Sequence, residues 1–161
     1  MTFIDMFSEG ADLYASVRQH YPKSLIRFIA SIAPSTACVW ECGTGNGQAA
    51  GALAQVFTRV CASDPSLKQI SNASSYEGVE YSVQPAEATH YPDAAFDAVC
   101  VAQALHWFNQ PRFFNETLRV IKPEGVFAAW GYSWFSVYPA FDALFQTVVR
   151  DVIVDDWAPQ N

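Results

Sequence analysis

The stretch Val39-Trp40-Glu41-Cys42-Gly43-Thr44-Gly45-Asn46-Gly47 constrains this chain more than any other. An apolar run from Ala37 to Trp40 predicts a strand covered on both faces. The three alternate glycines that follow let the backbone turn sharply and approach a ligand closely. Next comes an Ala- and Leu-rich segment, Gln48 to Val56, that reads as a helix. Strand, glycine loop and helix in that order bind nucleotide-like ligands at the carboxyl end of the strand.

Glu41 narrows the ligand. A pyrophosphate is best served by a helix N-terminus free of anions, whereas Glu41 puts a carboxylate beside the first glycine. That charge suits a cationic ligand. S-adenosylmethionine carries a sulfonium and an ammonium and no phosphate, so it matches an acid-x-Gly-x-Gly-x-Gly loop. A second register stays open, because Gly45-Asn46-Gly47-Gln48-Ala49-Ala50 also satisfies Gly-x-Gly-x-x-Ala, with Asp64 as the ribose acid of a nicotinamide-dependent oxidoreductase.

Beyond the loop the chain alternates strand and helix, which predicts an α/β, doubly wound, mainly parallel sheet. The strands are expected at Arg59–Ser63, Val79–Val83, Phe96–Ala102 and Val126–Trp130. Helices are expected at Ser8–His20, Pro22–Ala33, Ser66–Ala73, Pro111–Ile121 and Pro139–Ile153. Phe114, Leu118 and Ile121 are read as the buried side of the fifth of these six helices. Asp64 follows the second strand about twenty residues beyond the glycines, the offset at which an acid meets ribose hydroxyls. It also precedes a helix, where it would serve as an N-cap.

The residues Glu41 to Gln48 resemble motif I of the class I S-adenosylmethionine-dependent methyltransferases, particularly the type 11 group. Asp64, Ala86-Glu87, Phe96-Asp97, Gln103-Ala104-Leu105-His106-Trp107-Phe108 and Lys122-Pro123-Glu124-Gly125 follow in the family's order. The Gln-Ala-x-His-Trp-Phe run is similar to the branch containing trans-aconitate methyltransferase and other small-molecule carboxyl methyltransferases. This resemblance implies a Rossmann-like sheet of strand order 3-2-1-4-5 with an antiparallel sixth and seventh strand. It implies S-adenosyl-L-methionine as cofactor and S-adenosyl-L-homocysteine as product. Glu41, Gly43, Thr44, Gly45, Asp64, Pro65, Ala86, Glu87 and Gln103 would bind the cofactor, Ala86 and Glu87 at the adenine. His106 would stand at the substrate mouth as the candidate base, with Trp107 beside it.

Tyr14, Arg18, Tyr21 and Pro22 resemble the entry segment of the same branch, where an N-terminal helix covers the active site. Tyr14 and Arg18 are therefore expected at the substrate. Gln19 and Pro85 depart from the family pattern, which has proline and aspartate there, and Glu124 stands where a glycine is usual. Two other readings remain beside the methyltransferase: a module or fragment that binds the cofactor without chemistry, and the oxidoreductase above.

A chain of 161 residues, 51% apolar, forms one domain with a real core. The expected parts are a helical cover over 1–34, a cofactor-binding core over 35–132, and the start of a C-terminal part over 133–161. The net charge of -7 argues against a nucleic-acid partner. No apolar run approaches a membrane span, and the first residues lack a basic leader, so a cytoplasmic protein acting on a small molecule is expected. Cys38, Cys42, Cys61 and Cys100 lack metal or redox spacing and read as reduced core residues, Cys42 alone having a place near the ligand. No metal is expected.

After the fifth strand and one helix, no sequence is left for a final antiparallel strand pair. Val126–Trp130 is then an apolar edge with no proline or lysine to blunt it. The expectation is a longer enzyme or self-association through that edge.

Overall fold

The computed structural model describes residues 21–132, 136–149 and 151. The helix expected at Ser8–His20, with Tyr14 and Arg18, lies outside the described residues. The chain divides into two compact units, Met1–Trp130 and Gly131–Asn161.

In the first unit, β1 (Cys38–Cys42), β2 (Arg59–Asp64), β3 (Val79–Val83), β4 (Phe96–Ala102) and β5 (Ile121–Trp130) form one parallel sheet of order β3-β2-β1-β4-β5. This is the expected doubly wound order. The chain walks outward one way from β1 through β2 to β3, then returns to the other side for β4 and β5. The carboxyl end of β1 is therefore the point where the direction of winding reverses, and such a crevice is where open α/β sheets bind ligands.

Alternation along β1 sends Val39 to one face and Trp40 and Cys42 to the other. On the first face Val39, Val60, Ala62, Ala98 and Cys100 pack under Ile26 and Ile29 of α1 (Lys23–Ile32) and Ala50 and Leu53 of α2 (Gln48–Leu53). On the second face Trp40, Cys42, Cys61, Val99 and Val101 pack under Phe113 and Val120 of α4 (Gln110–Val120). The short α3 (Leu67–Ser71) follows β2, and a 3-10 turn, Leu105–Trp107, precedes α4.

Three sequence expectations are corrected. α4 buries Phe113, Glu116, Thr117 and Val120 and leaves Leu118 74% exposed, so its inward stripe is one residue off the expected one. The apolar periodicity misled because two inward positions are polar. The N-cap of α3 is Ser66, whose hydroxyl accepts from Gln69 N–H, and not Asp64. β5 begins at Ile121 rather than Val126, with its pairing to β4 jumping from Phe96↔Ile121 to Ala98↔Val126. The intervening turn puts Glu124 at φ 63, a left-handed conformation natural to the glycine that the family pattern has there.

At the amino end of the strands, away from the crevice, Lys122 Nζ donates to Asp97 Oδ1 over 2.8 Å and Cys38 N–H donates to Oδ2 over 2.9 Å. Burial pushes the Asp97 carboxyl up, but these donors outweigh it and hold it below its usual range. The motif pair Asp97 and Lys122 thus locks β4 to β5 and takes no part at the ligand end.

All four cysteines are free thiols, with Cys42, Cys61 and Cys100 buried. Cys42 turns into the core beside Trp40 rather than toward a ligand, and burial pushes its thiol up. Among the described residues no group of three or more His, Cys, Asp and Glu could hold a metal ion, and no helix is long and apolar enough to cross a membrane.

In the second unit, α5 (Pro139–Val148) opens with Asp142 accepting from Ser136 Oγ over 2.6 Å and Val137 N–H over 2.9 Å. Phe141 and Phe145 stack one turn apart.

Candidate functional site

The crevice is built from the carboxyl ends of β1, β2 and β4. β1 ends in Glu41-Cys42, and Gly43 N–H and Thr44 N–H both donate to Ser63 O, over 2.9 and 3.0 Å. The loop is thereby tied to the carboxyl end of β2. Gly45 N–H then donates to Asp64 Oδ2 over 2.9 Å, while Ser66 N–H donates to Oδ1 over the same distance. Each oxygen of the carboxylate thus accepts a backbone N–H, one from the loop and one from the start of α3.

The glycines divide the work. A side chain at Gly43 would strike Ala104 Cβ at 2.6 Å and one at Gly47 would strike the Tyr81 hydroxyl, so both are needed for packing. Gly45 is different: among the described residues a side chain there would meet nothing nearer than Gln69 Oε1 at 3.9 Å. Its missing side chain leaves open space at the mouth of the loop, the shape a ligand lying against the backbone requires.

Glu41 lies under this loop, 1% exposed. Its Oε2 accepts from Thr44 Oγ1 over 2.6 Å, and the Ala50 backbone also donates to it. Gly47, the N-cap of α2, has no side chain to cap the helix. Burial pushes its carboxyl up to about 8; Asp64's charge adds to this, and the Thr44 and Ala50 bonds resist it. Glu41 is therefore enclosed beneath the loop, with its Oε2 held by Thr44. Thr44 is likewise buried, with its hydroxyl proton committed to Glu41. Pro65 sits between Asp64 and the Ser66 cap.

On the β4 side, Gln103 leaves the strand at φ 58 and its N–H donates to Trp130 O over 2.9 Å. A non-glycine residue held left-handed at a strand end costs on the order of 1 kcal/mol or more and clusters at functional sites. His106 is exposed, its ring 4.8 Å from that of Trp107, and no hydrogen bond to a described residue orients it.

The third wall is the loop between β3 and β4. Ala86 is 4% exposed, and Glu87 Oε1 accepts from Asn109 N–H over 2.8 Å at the start of α4. Glu87 thus carries a structural bond beside any ligand role. Residues that sequence reasoning passed over complete this wall. Gln84 N–H donates to Asp64 O over 3.2 Å, and its side chain bridges Ser82 Oγ and His90 N–H. Glu116 and Arg119 hold the far side of the loop from α4. Their i,i+3 acid–base spacing was the only signal.

The structure therefore brings Gly43, Gly45, Asp64 and Gln103 to one crevice and puts Glu41 and Thr44 beneath it, with Ala86 and Glu87 on the following loop.

Residues 40–129 match the family described as "Methyltransferase domain". Among curated proteins, a Dictyostelium discoideum protein assigned as a methyltransferase is 33% identical over 99% of this chain and 62% of its own length. The malonyl-[acyl-carrier protein] O-methyltransferase of a Marinomonas species is 32% identical, over 75% of this chain and 47% of its own. A solved structure from Anaeromyxobacter dehalogenans, assigned as a type II methyltransferase, superposes with a TM-score of 0.79 and 41% identity over 88% of this chain and 60% of that one. The chain thus spans less than two thirds of the proteins it is most similar to here.

Proposed function

The chain belongs to the methyltransferase domain family, and from that premise we propose that it binds S-adenosyl-L-methionine and transfers its methyl group to a carboxylate oxygen of a small molecule. The observation that carries the reading is the open Gly45 backbone beside Asp64, with a buried acid beneath it. Asp64 would accept the ribose hydroxyls, and the Gly43-Thr44-Gly45 backbone would pass the methionine half. Ala86 and Glu87 would meet the adenine, and Pro65 and Gln103 would border the site. Gln48 Oε1, at the first residue of α2, is buried with no hydrogen-bond partner among the described residues and suits an ammonium donor. The residues present fit this cofactor.

When bound, the cofactor supplies an electrophilic methyl on a sulfonium. The protein's part is alignment of that group with an acceptor in a water-poor crevice. A carboxylate attacks as the anion it already is and needs no base. The carboxylate reading is supported by the Gln103-Ala104-Leu105-His106-Trp107-Phe108 run and its similarity to carboxyl methyltransferases. For a hydroxyl, amine or thiol acceptor, His106 would be the base. Similarity to the O-methyltransferase points the same way.

The same proposal includes Tyr14, Arg18 and Trp107 at the acceptor, 1–34 as a cover on a single 161-residue domain, and a cytoplasmic setting. It also includes pairing of two copies along β5. Among the described residues that strand bonds only to β4, and Phe127 lies 36% exposed on it. Light scattering tests the pairing.

Titration calorimetry with S-adenosylhomocysteine and with NAD tests the cofactor; only the former is expected to bind. Methyl transfer across a panel of small carboxylic acids tests the chemistry. Binding without transfer would leave the reading of a cofactor-binding module. Tight NAD binding with no response to the adenosyl compound would overturn the whole proposal.

A further inference from the structure

We infer that Glu116 and Arg119 are positioning residues for the nucleobase half of the site. Between β3 and β4 the chain runs for twelve residues, 84–95, without helix or strand. Such a segment does not hold a base-sized pocket by itself, because each unconstrained residue keeps its conformational freedom. α4 removes that freedom along its length.

At the amino end of α4, Asn109 N–H is bonded to Glu87. Two turns on, Glu116 Oε1 accepts from Thr89 N–H over 2.8 Å and from Thr89 Oγ1 over 2.5 Å. One turn further, Arg119 Nη1 donates to Tyr91 O over 2.8 Å and to Asp93 Oδ1 over 2.7 Å. The two side chains are themselves paired twice, Nε to Oε2 over 2.9 Å and Nη2 to Oε1 over 2.6 Å. Ala94 N–H and Ala95 N–H finish the docking on the carbonyls of Arg119 and Val120. The loop is therefore stapled to one helix at successive points that begin at Glu87.

The choice of side chains explains why α4 buries a glutamate. Glu116 is 8% exposed, on the stripe that also carries Phe113 and Val120. An apolar residue there would pack equally well but would leave Thr89 N–H without this acceptor. The Arg119 bonds hold the Glu116 carboxyl down at about 2 against its burial, so it stays charged throughout the working range. The planar guanidinium then spans Glu116, the Tyr91 carbonyl and Asp93 together, which a lysine would not do.

This inference rests on reading Ala86 and Glu87 as the adenine contacts, and the experiment separates the two. Wild type, Glu116→Gln and the milder Thr89→Val are titrated with S-adenosylhomocysteine and with its hypoxanthine analogue, below each variant's thermal transition. Wild type is expected to prefer adenine. In both variants the affinity for S-adenosylhomocysteine should fall, about tenfold in Glu116→Gln, and the preference for adenine over hypoxanthine should narrow. Lower melting temperatures with wild-type affinity and base preference would make the pair a purely structural lock and overturn the inference. Wild type that binds both bases equally would instead overturn the adenine reading beneath it.

Discussion

Gly45 N–H lies 2.9 Å from Asp64 Oδ2, so the acid expected to hold a ribose also anchors the middle glycine of the loop. Its other oxygen holds Ser66 N–H. One carboxylate therefore orders both the glycine loop and the start of α3. Asp64→Ala is expected to weaken S-adenosylhomocysteine binding roughly thirty-fold or more, from lost hydroxyl contacts and a looser loop. It should also cost about 1–3 kcal/mol of stability, because two N–H groups lose a buried acceptor. Asp64→Asn keeps one oxygen and should fall between. Calorimetry and thermal unfolding read the two effects, and an Asp64→Ala protein with wild-type affinity would remove Asp64 from the site.

The glycine loop offers a paired test of shape. Gly43→Ala forces a methyl against Ala104 at 2.6 Å and against the Phe108 ring, in a residue at φ 69. Overpacking of this kind costs about 1–3 kcal/mol, beyond the backbone strain. Gly45→Ala has room for its methyl, with strain at φ 57 the main cost. The expected result is a strongly destabilised Gly43→Ala protein and a well-folded Gly45→Ala protein that binds the cofactor poorly. If Gly45→Ala kept full affinity, the ligand would not lie against that backbone.

These two variants mark what the sequence made legible. Buried parallel strands read as continuous apolar runs, and β4, buried along its whole length, falls where its residues place it; the partly exposed edge strand β3 falls at its expected place too. Strand order and the crevice followed from the resemblance and from the rule for open α/β sheets. The misreadings share a cause: polar residues doing structural work inside the core. Glu116 broke the apolar stripe of α4, and so Phe114 and Leu118 were assigned inward in place of Phe113. Asp64 looked like a cap because its spacing from α3 allows one, yet Ser66 is the nearer oxygen. Glu41 was assigned by its charge beside a glycine, whereas its burial and its bond to Thr44 are facts of three dimensions.

The same buried acids set opposite responses to pH. Glu41's carboxyl rises from 4.5 to about 8 on folding, so between those values the folded chain binds the extra proton. Stability is full below 4.5, falls as pH rises through that window and is level above it. Glu116 is depressed from 4.5 to about 2; its contribution is full above 4.5 and is lost as pH falls toward 2. Glu41→Gln removes the first response and keeps an acceptor for Thr44. It should be more stable than wild type at pH 8, by on the order of a few kcal/mol, and nearly equal at pH 4.5. Denaturant unfolding at the two pH values decides it. An equal pH slope in both proteins would mean that another group carries the proton.

A cationic ligand favours the charged form of Glu41, so cofactor binding is coupled to loss of that proton. Near pH 7, where the free protein holds it, S-adenosylmethionine, which carries the sulfonium, should bind with proton release, seen as a binding enthalpy that depends on the buffer's ionisation heat. Affinity should rise from pH 6 to 8 and then level, and Glu41→Gln should abolish both effects. Buffer-independent heats in wild type would show that Glu41 keeps one protonation state throughout.

His106 carries the last test, because the two acceptor classes ask different things of it. A carboxylic acid is ionised near neutrality and presents its lone pair without proton transfer, so the base has no role. An amine, hydroxyl or thiol acceptor must lose a proton on the way to product, and a positioned imidazole then contributes about 10²- to 10⁴-fold. The exposed ring has Trp107 as its neighbour at 4.8 Å and no bond to a described residue that would aim it. His106→Ala should therefore leave kcat for a carboxylic acid within a few-fold of wild type, with any loss in KM as the ring leaves the substrate mouth. A drop of a hundredfold or more in kcat would make His106 the base and move the acceptor from carboxylates to a group that carries a proton.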